Sequence, residues 1–214
     1  MVAALLTKIT TTNDQRLNHN GVEKHPADSR SINSAVLAFH GRNVPTITIS
    51  SYLGRINRYC PTTYEVFLSL LVYFDRMTDE MSSQFVVDSF NIHRLVIAGV
   101  TCASKFFSDV FFTNSRYAKV GGLPLLELNH LELQFLLLND FRLSIPLSEL
   151  EDYGTMLVQF YGREVLQSRV NSIPPRLTPA EGHSHQSSSA DNDGSVRIEN
   201  AAAAAVAAGV AAGV

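Results

Sequence analysis

The chain has 214 residues, with 17 lysines and arginines against 20 aspartates and glutamates, a formal charge of −3. A net acidic chain gives no electrostatic reason to expect nucleic acid as the main partner. Two cysteines, Cys60 and Cys102, support neither a disulfide framework nor a cysteine metal site, and they suit a reducing nucleus or cytoplasm.

Apolar residues are dense from about Val44 to Val165 and sparse outside that stretch. The pattern predicts one domain over 44–168, a flexible arm over 1–43 and a disordered low-complexity tail over 169–214. Met1 to Leu6 is briefly apolar, but it has no basic leader and meets Lys8 too soon for a signal peptide. Thr10 to Gly41 is polar with little period. From Pro45 onward, Ile49, Tyr52, Leu53, Ile56 and Tyr59 recur at three- and four-residue steps, the mark of an amphipathic helix that Pro61 ends. Thr62 and Glu65 have capping-box spacing, and Val66, Phe67, Leu70, Leu71, Val72 and Phe74 form the wide apolar face of a second helix.

After a polar link around Thr78 to Ser83, with Asp88 or Ser89 as the cap, Phe90 to Phe107 is apolar on nearly every side. Such a helix is a membrane span or the centre of a bundle. This one carries His93, Arg94 and Lys105 and is too short to cross a bilayer. Its small residues Ala98, Gly99, Cys102 and Ala103 let neighbours approach closely. The polar residues left on it, Arg94, Thr101 and Lys105, make one stripe, and function is to be sought there.

A short helix through Ser115 to Val120 stops at Gly121-Gly122, where glycine supplies a left-handed residue, and Pro124 opens the next helix, Leu125 to Leu138. Its apolar face is Leu125, Leu128, Leu131, Phe135 and Leu138. Ser148 and Glu151 offer another capping box, with Pro146 and Leu147 leaving the start of the last helix open. That helix runs to about Val165. Gln167 to Asn200 is rich in Ser, Pro, His and Asp, and Ala201 to Val214 is too short to span a membrane. Thr178-Pro179, behind Arg176, has the form of a proline-directed phosphorylation site. Strand signals are nearly absent, so the expected class is all-α.

Five consecutive helices around a small-residue central one resemble a cyclin box, here followed by one additional C-terminal helix. Local motifs sharpen this: Tyr52-Leu53, Arg55-Ile56, Tyr59, Asp75-Arg76, Asn91, His93-Arg94-Leu95, Ala103-Ser104-Lys105-Phe106, Tyr117 to Gly122, Glu127-Leu128-Asn129 and Leu131-Glu132. In this order and spacing the chain resembles the fungal phosphate-system, Pcl-type cyclins, related to the P/U-type cyclins of plants. The resemblance implies a protein without catalysis or cofactor of its own. It would bind a cyclin-dependent protein kinase as a heterodimer, reposition the kinase's regulatory helix and help choose substrates, in the nucleus and cytoplasm. In cell-cycle cyclins a lysine late in the third helix and a glutamate in the fifth contact the kinase. Lys105 matches the lysine. The glutamate position holds Asn129, a departure that phosphate-type cyclins share, and Glu132 follows within one turn on the same face. With the stripe residue Arg94, these are the candidate kinase-docking residues.

Other polar residues read structurally. Asp75 lies in line with Leu68, Leu71 and Val72 and needs a partner, for which Arg55 on the preceding helix is the candidate ion pair. His93 and His130 have no metal-ligand spacing, and His183 and His185 are too few for a site. A cyclin-fold adaptor in transcription complexes without a kinase would call for two boxes and a basic surface, where one box and a net acidic chain are visible. An all-α hydrolase would need clustered His, Asp or Glu residues, and the sequence shows none.

Overall fold

The computed structural model describes residues 1–19, 34–80 and 85–171. Eight helices run through them: α1 (Val2–His19), α2 (Ser34–Phe39), α3 (Ile49–Tyr59), α4 (Tyr64–Glu80), α5 (Ile92–Phe107), α6 (Asn114–Gly121), α7 (Leu125–Leu138) and α8 (Leu147–Asn171). No strand occurs among the described residues, and none of their helices is long and apolar enough to cross a membrane. Thr178-Pro179 and the rest of the tail from residue 172 lie outside them.

Helix α5 is the axis. Every residue from Leu95 to Ser104 is buried, and α2, α3, α4, α6 and α7 all pack on it. Gly99 shows why small residues are needed: a Cβ built there would lie 2.5 Å from Leu70 Cδ2 and 3.1 Å from Phe135 Cζ, so α4 and α7 already fill the space. Tyr73 and Phe74 of α4 meet Phe135 edge-on at centroid distances of 5.9 and 6.4 Å. The expected polar stripe is corrected at its middle. Thr101 is fully buried and donates its hydroxyl to the Ile97 carbonyl at 2.8 Å, so only the two ends, Arg94 and Lys105, reach the surface.

Helix boundaries follow local chemistry. Thr48 caps α3 by accepting from the Ser51 amide at 3.1 Å. The expected Thr62–Glu65 box is displaced, because α4 begins at Tyr64; Thr62 Oγ1 instead lies 3.4 Å from Ser104 Oγ. Ahead of α5, Asp88 accepts from the amides of Phe90 and Asn91, while Asn91 Oδ1 accepts from the Asp88 amide at 3.0 Å. That reciprocal pair caps the turn leading into the axis. Gly122 closes α6 in the left-handed region, φ 73°, and Pro124 stands at the N-cap of α7. Helix α8 starts at Leu147, which puts Ser148 inside its first turn, and it reaches Asn171, beyond the expected Val165.

The flexible arm expected over 1–43 is corrected by α1 and α2. Leu5, Leu6 and Ile9 of α1 are buried, and α1 packs on α3 and α8. Asn13 donates to the Val87 carbonyl at 2.9 Å, and Asp14 accepts from both the amide and the hydroxyl of Ser89. The start of the chain thus holds the approach to α5. Ala35 and Phe39 bury α2 against α5 and α7. A domain boundary at residue 44 would strip these surfaces from the core.

The Arg55–Asp75 ion pair does not form. Helix α3 faces α6, so Arg55 donates to the Lys119 carbonyl at 3.2 Å; α4 turns Asp75 toward α8, where it accepts from the Tyr153 hydroxyl at 2.6 Å. The neighbouring Arg76 pairs with Glu149 at 2.9 Å and donates to the Arg142 and Ser144 carbonyls, pinning the link between α7 and α8 to α4.

Two predictions follow from this packing. Gly99→Leu adds volume where none is free and lowers stability by about 1–3 kcal/mol or more; thermal unfolding followed by circular dichroism checks it, and an unchanged melting temperature would remove α5 from the centre. The second concerns His93, whose Nε2 donates to the Ile47 carbonyl at 2.9 Å while its buried Nδ1 has no hydrogen-bond partner among the described residues. Burial holds its pKa below the ordinary 6.5. The unfolded chain therefore takes up this proton first, so stability from the neutral ring is full above that pH and lost as pH falls toward the lowered value. His93→Gln is expected to flatten that part of the fall in denaturation midpoint between about pH 7.5 and 5.

Candidate protein-docking site

The last turn of α5 is where the axis leaves the core. Lys105 emerges there, and its Nζ meets Glu132 Oε1 of α7 at 2.6 Å. Asn114, the first residue of α6, uses Nδ2 to join Glu132 Oε2 at 2.7 Å and Asn129 Oδ1 at 2.8 Å. Three helices thus contribute to one polar cluster, with side chains of Lys105 and Glu132 exposed by 30 and 17 %. A surface pair of this kind contributes about 0–1 kcal/mol, so stability alone is a weak reason for it. What it provides is presentation. An ammonium has three donors and Glu132 takes one, so Lys105 can still donate outward, and Asn129 keeps its amide N–H groups.

Exposed apolar side chains lie on and between the same elements. Phe106 follows Lys105 and is half exposed, while Val110 and Phe111 project from the loop between α5 and α6, Val110 at 86 % exposure. Ser108 accepts from the Val110 amide and donates to its carbonyl, which fixes that turn. Helix α7 is apolar on two faces. Leu128, Leu131, Phe135 and Leu138 are buried; Leu126, Leu133 and Leu137 form an outward row with Leu126 82 % exposed. Leu125, expected on the inner face, is 43 % exposed. A polar cluster accompanied by exposed apolar side chains is the composition of a protein interface.

Of the four docking candidates, the structure brings Lys105, Asn129 and Glu132 together and places Arg94 elsewhere. Arg94 sits eleven residues earlier on α5, about 16 Å along the axis. It pairs with Glu127 at 2.5 Å and donates to the Ala38 carbonyl at 3.1 Å, tying α2 and α7 to α5. Sequence reasoning missed Asn114 and the exposed phenylalanines. A signal was present, since Phe106, Phe107, Phe111 and Phe112 crowd seven residues that interrupt a helical pattern.

The other reactive groups are occupied or shielded. Both cysteines are free and buried, and burial raises both thiols, Cys102 strongly, its Sγ lying 3.8 Å from the Glu132 carbonyl. Among the described residues no group of three or more His, Cys, Asp or Glu side chains is placed to hold a metal ion. His130 is exposed on α7. The cluster's chemistry is that of charged and amide hydrogen bonding to a partner.

Comparison with known proteins gives the arrangement its context. The family described as Cyclin matches residues 1–143, which includes α1 and α2 and ends before α8. The PHO85 cyclin-like protein psl1 of Schizosaccharomyces pombe is 50 % identical over 161 residues, 75 % of this chain and 66 % of that protein. PHO85 cyclin-7 of Saccharomyces cerevisiae is 49 % identical over 171 residues, 75 % of this chain and 60 % of the relative. Cyclin-U4-1 of Arabidopsis thaliana is 43 % identical over 122 residues, 57 % of this chain and 60 % of its own. The chain therefore spans somewhat less than two thirds of the length of these relatives. With an all-α bundle about α5 and a family match across two thirds of its residues, the chain belongs to the cyclin family, in the group of the fungal PHO85 (Pcl-type) cyclins and the plant P- and U-type cyclins.

Proposed function

We propose that the chain is a regulatory cyclin subunit that binds and activates a cyclin-dependent protein kinase and helps select its substrates, acting in the nucleus and cytoplasm. The observation that carries this reading is the cluster of Lys105, Glu132, Asn114 and Asn129, together with exposed apolar side chains on and between the same elements, Phe106, Val110, Phe111, Leu126 and Leu133, which this reading takes as its rim. The names of the fungal relatives, PHO85 cyclins, point to the same class of partner.

The physics suits regulation by binding. Activation requires a surface that prefers one of two kinase conformations, because only differential affinity moves their equilibrium. The preferred one has the kinase's lysine–glutamate pair assembled for phosphoryl transfer. A docking face must be rigid to discriminate in this way, and here it is anchored on the tightly filled α5. Lys105 and Asn129 supply donors for carbonyls at the end of a kinase helix, and the rim supplies buried apolar area. The kinase contributes all of the chemistry. Arg94 serves this face at a distance, by fixing α7 against α5 through Glu127.

The test uses the full chain, since α1 belongs to the core. Pull-down against a panel of cyclin-dependent kinases, followed by a kinase assay, is expected to give one or more activated complexes. The double variant Lys105→Ala, Glu132→Ala should bind at least about tenfold more weakly, a loss of about 1.4 kcal/mol, with helicity intact by circular dichroism. Unchanged affinity in the double variant places the docking face elsewhere, and no kinase bound at all leaves the adaptor reading in its place.

A further inference from the structure

On the other side of the α6 N-terminus, α3 and α6 together present four exposed cations, Arg55, Arg58, Arg116 and Lys119. Neutral groups set the positions of the three arginines. Arg116 donates through Nε and a terminal nitrogen to the Tyr59 carbonyl at 2.9 and 2.6 Å and stands over the Phe112 ring at 4.2 Å. Arg55 donates to the Lys119 carbonyl, and Arg58 lies 5.6 Å from the centroid of Tyr59. None of the four pairs with a carboxylate among the described residues, whereas Lys8, Arg76, Arg94 and Lys105 each do. A guanidinium aligned by a carbonyl or a ring keeps its full charge for another ligand. In a chain of net charge −3, this concentration of uncompensated positive charge stands apart.

Beside these cations opens a pocket of about 440 Å³ lined by Tyr59, Thr113, Ser115, Arg116, Lys119 and Val120. It has no acidic wall. Thr113, the N-cap of α6, makes no side-chain cap bond, so its hydroxyl and that of Ser115 add donors to the two cations. Several convergent donors suit a group with several acceptor oxygens. A phosphate monoester offers three around one phosphorus, together with a charge near −2; a carboxylate offers two and a single charge. The pocket is a shallow, open depression with Tyr59 and Val120 beside the cations, which leaves room for a side chain with its neighbours. A lipid surface would meet a convex basic helix with an apolar edge.

We propose that this pocket binds a phosphorylated serine or threonine within a peptide segment of a substrate. Arg116 and Lys119 hold the phosphate, Thr113 and Ser115 donate to it, Arg55 and Arg58 attract it, and Tyr59 and Val120 pack against the adjoining residues. That the peptide belongs to a substrate rests on the proposed function, while the chemistry of the pocket does not. Recognition of a segment already phosphorylated would hold that substrate on the cyclin for modification at a further position. No bond is made or broken at the pocket itself.

The test uses the purified full chain without kinase, so its outcome is separate from kinase binding. Fluorescence anisotropy is measured with a peptide mixture centred on phosphoserine or phosphothreonine and with the same mixture unphosphorylated. Binding of the phosphorylated peptides is expected to be at least about tenfold tighter. Lys119→Glu and Arg58→Glu, whose side chains donate no hydrogen bond within the described chain, should each weaken it at least about tenfold and leave the melting temperature unchanged. Equal binding of both mixtures overturns the proposal, as does phosphopeptide binding indifferent to both variants. Binding to phosphatidylserine vesicles without any to phosphopeptides also overturns it, in favour of a membrane contact. If the phosphopeptides bind as expected while no kinase is activated, the pocket stands and the regulatory reading falls.

Discussion

The closeness of α4 and α7 across Gly99 governs this molecule. With Leu70 and Phe135 inside van der Waals reach of a position that has no side chain, the two helices converge on α5 at that point and on each other through Tyr73, Phe74 and Phe135. Everything from Leu95 to Ser104 is then sealed from water, Thr101 included. A seal of that length leaves the axis only its first and last turns for charged groups, Arg94 at one and Lys105 at the other. Lys105 meets Glu132 at the last turn because α5 packs along α7 there.

The two candidate surfaces share a hinge of sequence only a few residues long. Asn114 belongs to the polar cluster with Asn129 and Glu132, whereas Thr113 and Ser115 on either side of it line the cationic pocket. A short helix with alternating allegiance can do this because successive side chains around a helix point about 100° apart. The left-handed Gly122 and Pro124 turn the chain sharply after α6, so that α7 returns past α5 and delivers Glu132 to Lys105.

The helices from 49 to 138 were legible in the sequence because their apolar residues repeat at helical spacing and their ends carry recognisable punctuation, above all Gly122, Pro124 and Asp88. Helix α1 was hidden. Its buried residues Leu5, Leu6 and Ile9 are followed by Thr10, Thr11 and Thr12, residues of poor helix propensity, and its later inward positions are the polar Thr10 and Asn13. A polar residue facing inward is invisible to a hydrophobic pattern, yet Asn13 has its partner in the Val87 carbonyl, seventy-four residues away. The same blindness to long-range partners explains Arg55 and Asp75. Each was correctly read as in need of a partner, but which one depended on whether α3 and α4 face each other or turn outward to α6 and α8. Of the docking candidates, Lys105, Asn129 and Glu132 were grouped by the resemblance to cyclins, which pattern alone would not have joined across two helices, while Arg94 shared a helix with Lys105 without sharing its neighbourhood.

The contact of α1 with α8 joins the two ends of the described fold. Lys8 reaches Glu164 at 2.6 Å and lies over the ring of Phe160, which is itself buried. Helix α1 therefore needs both α3 and the far more distant α8 before its leucines are fully covered. A nascent chain stopped short of α8 would carry Leu5, Leu6 and Ile9 without their final neighbour, an apolar surface of the kind that chaperones and quality-control proteases recognise. The clasp between Lys8, Glu164 and Phe160 thus makes the docking of α8 a condition for completion of the fold.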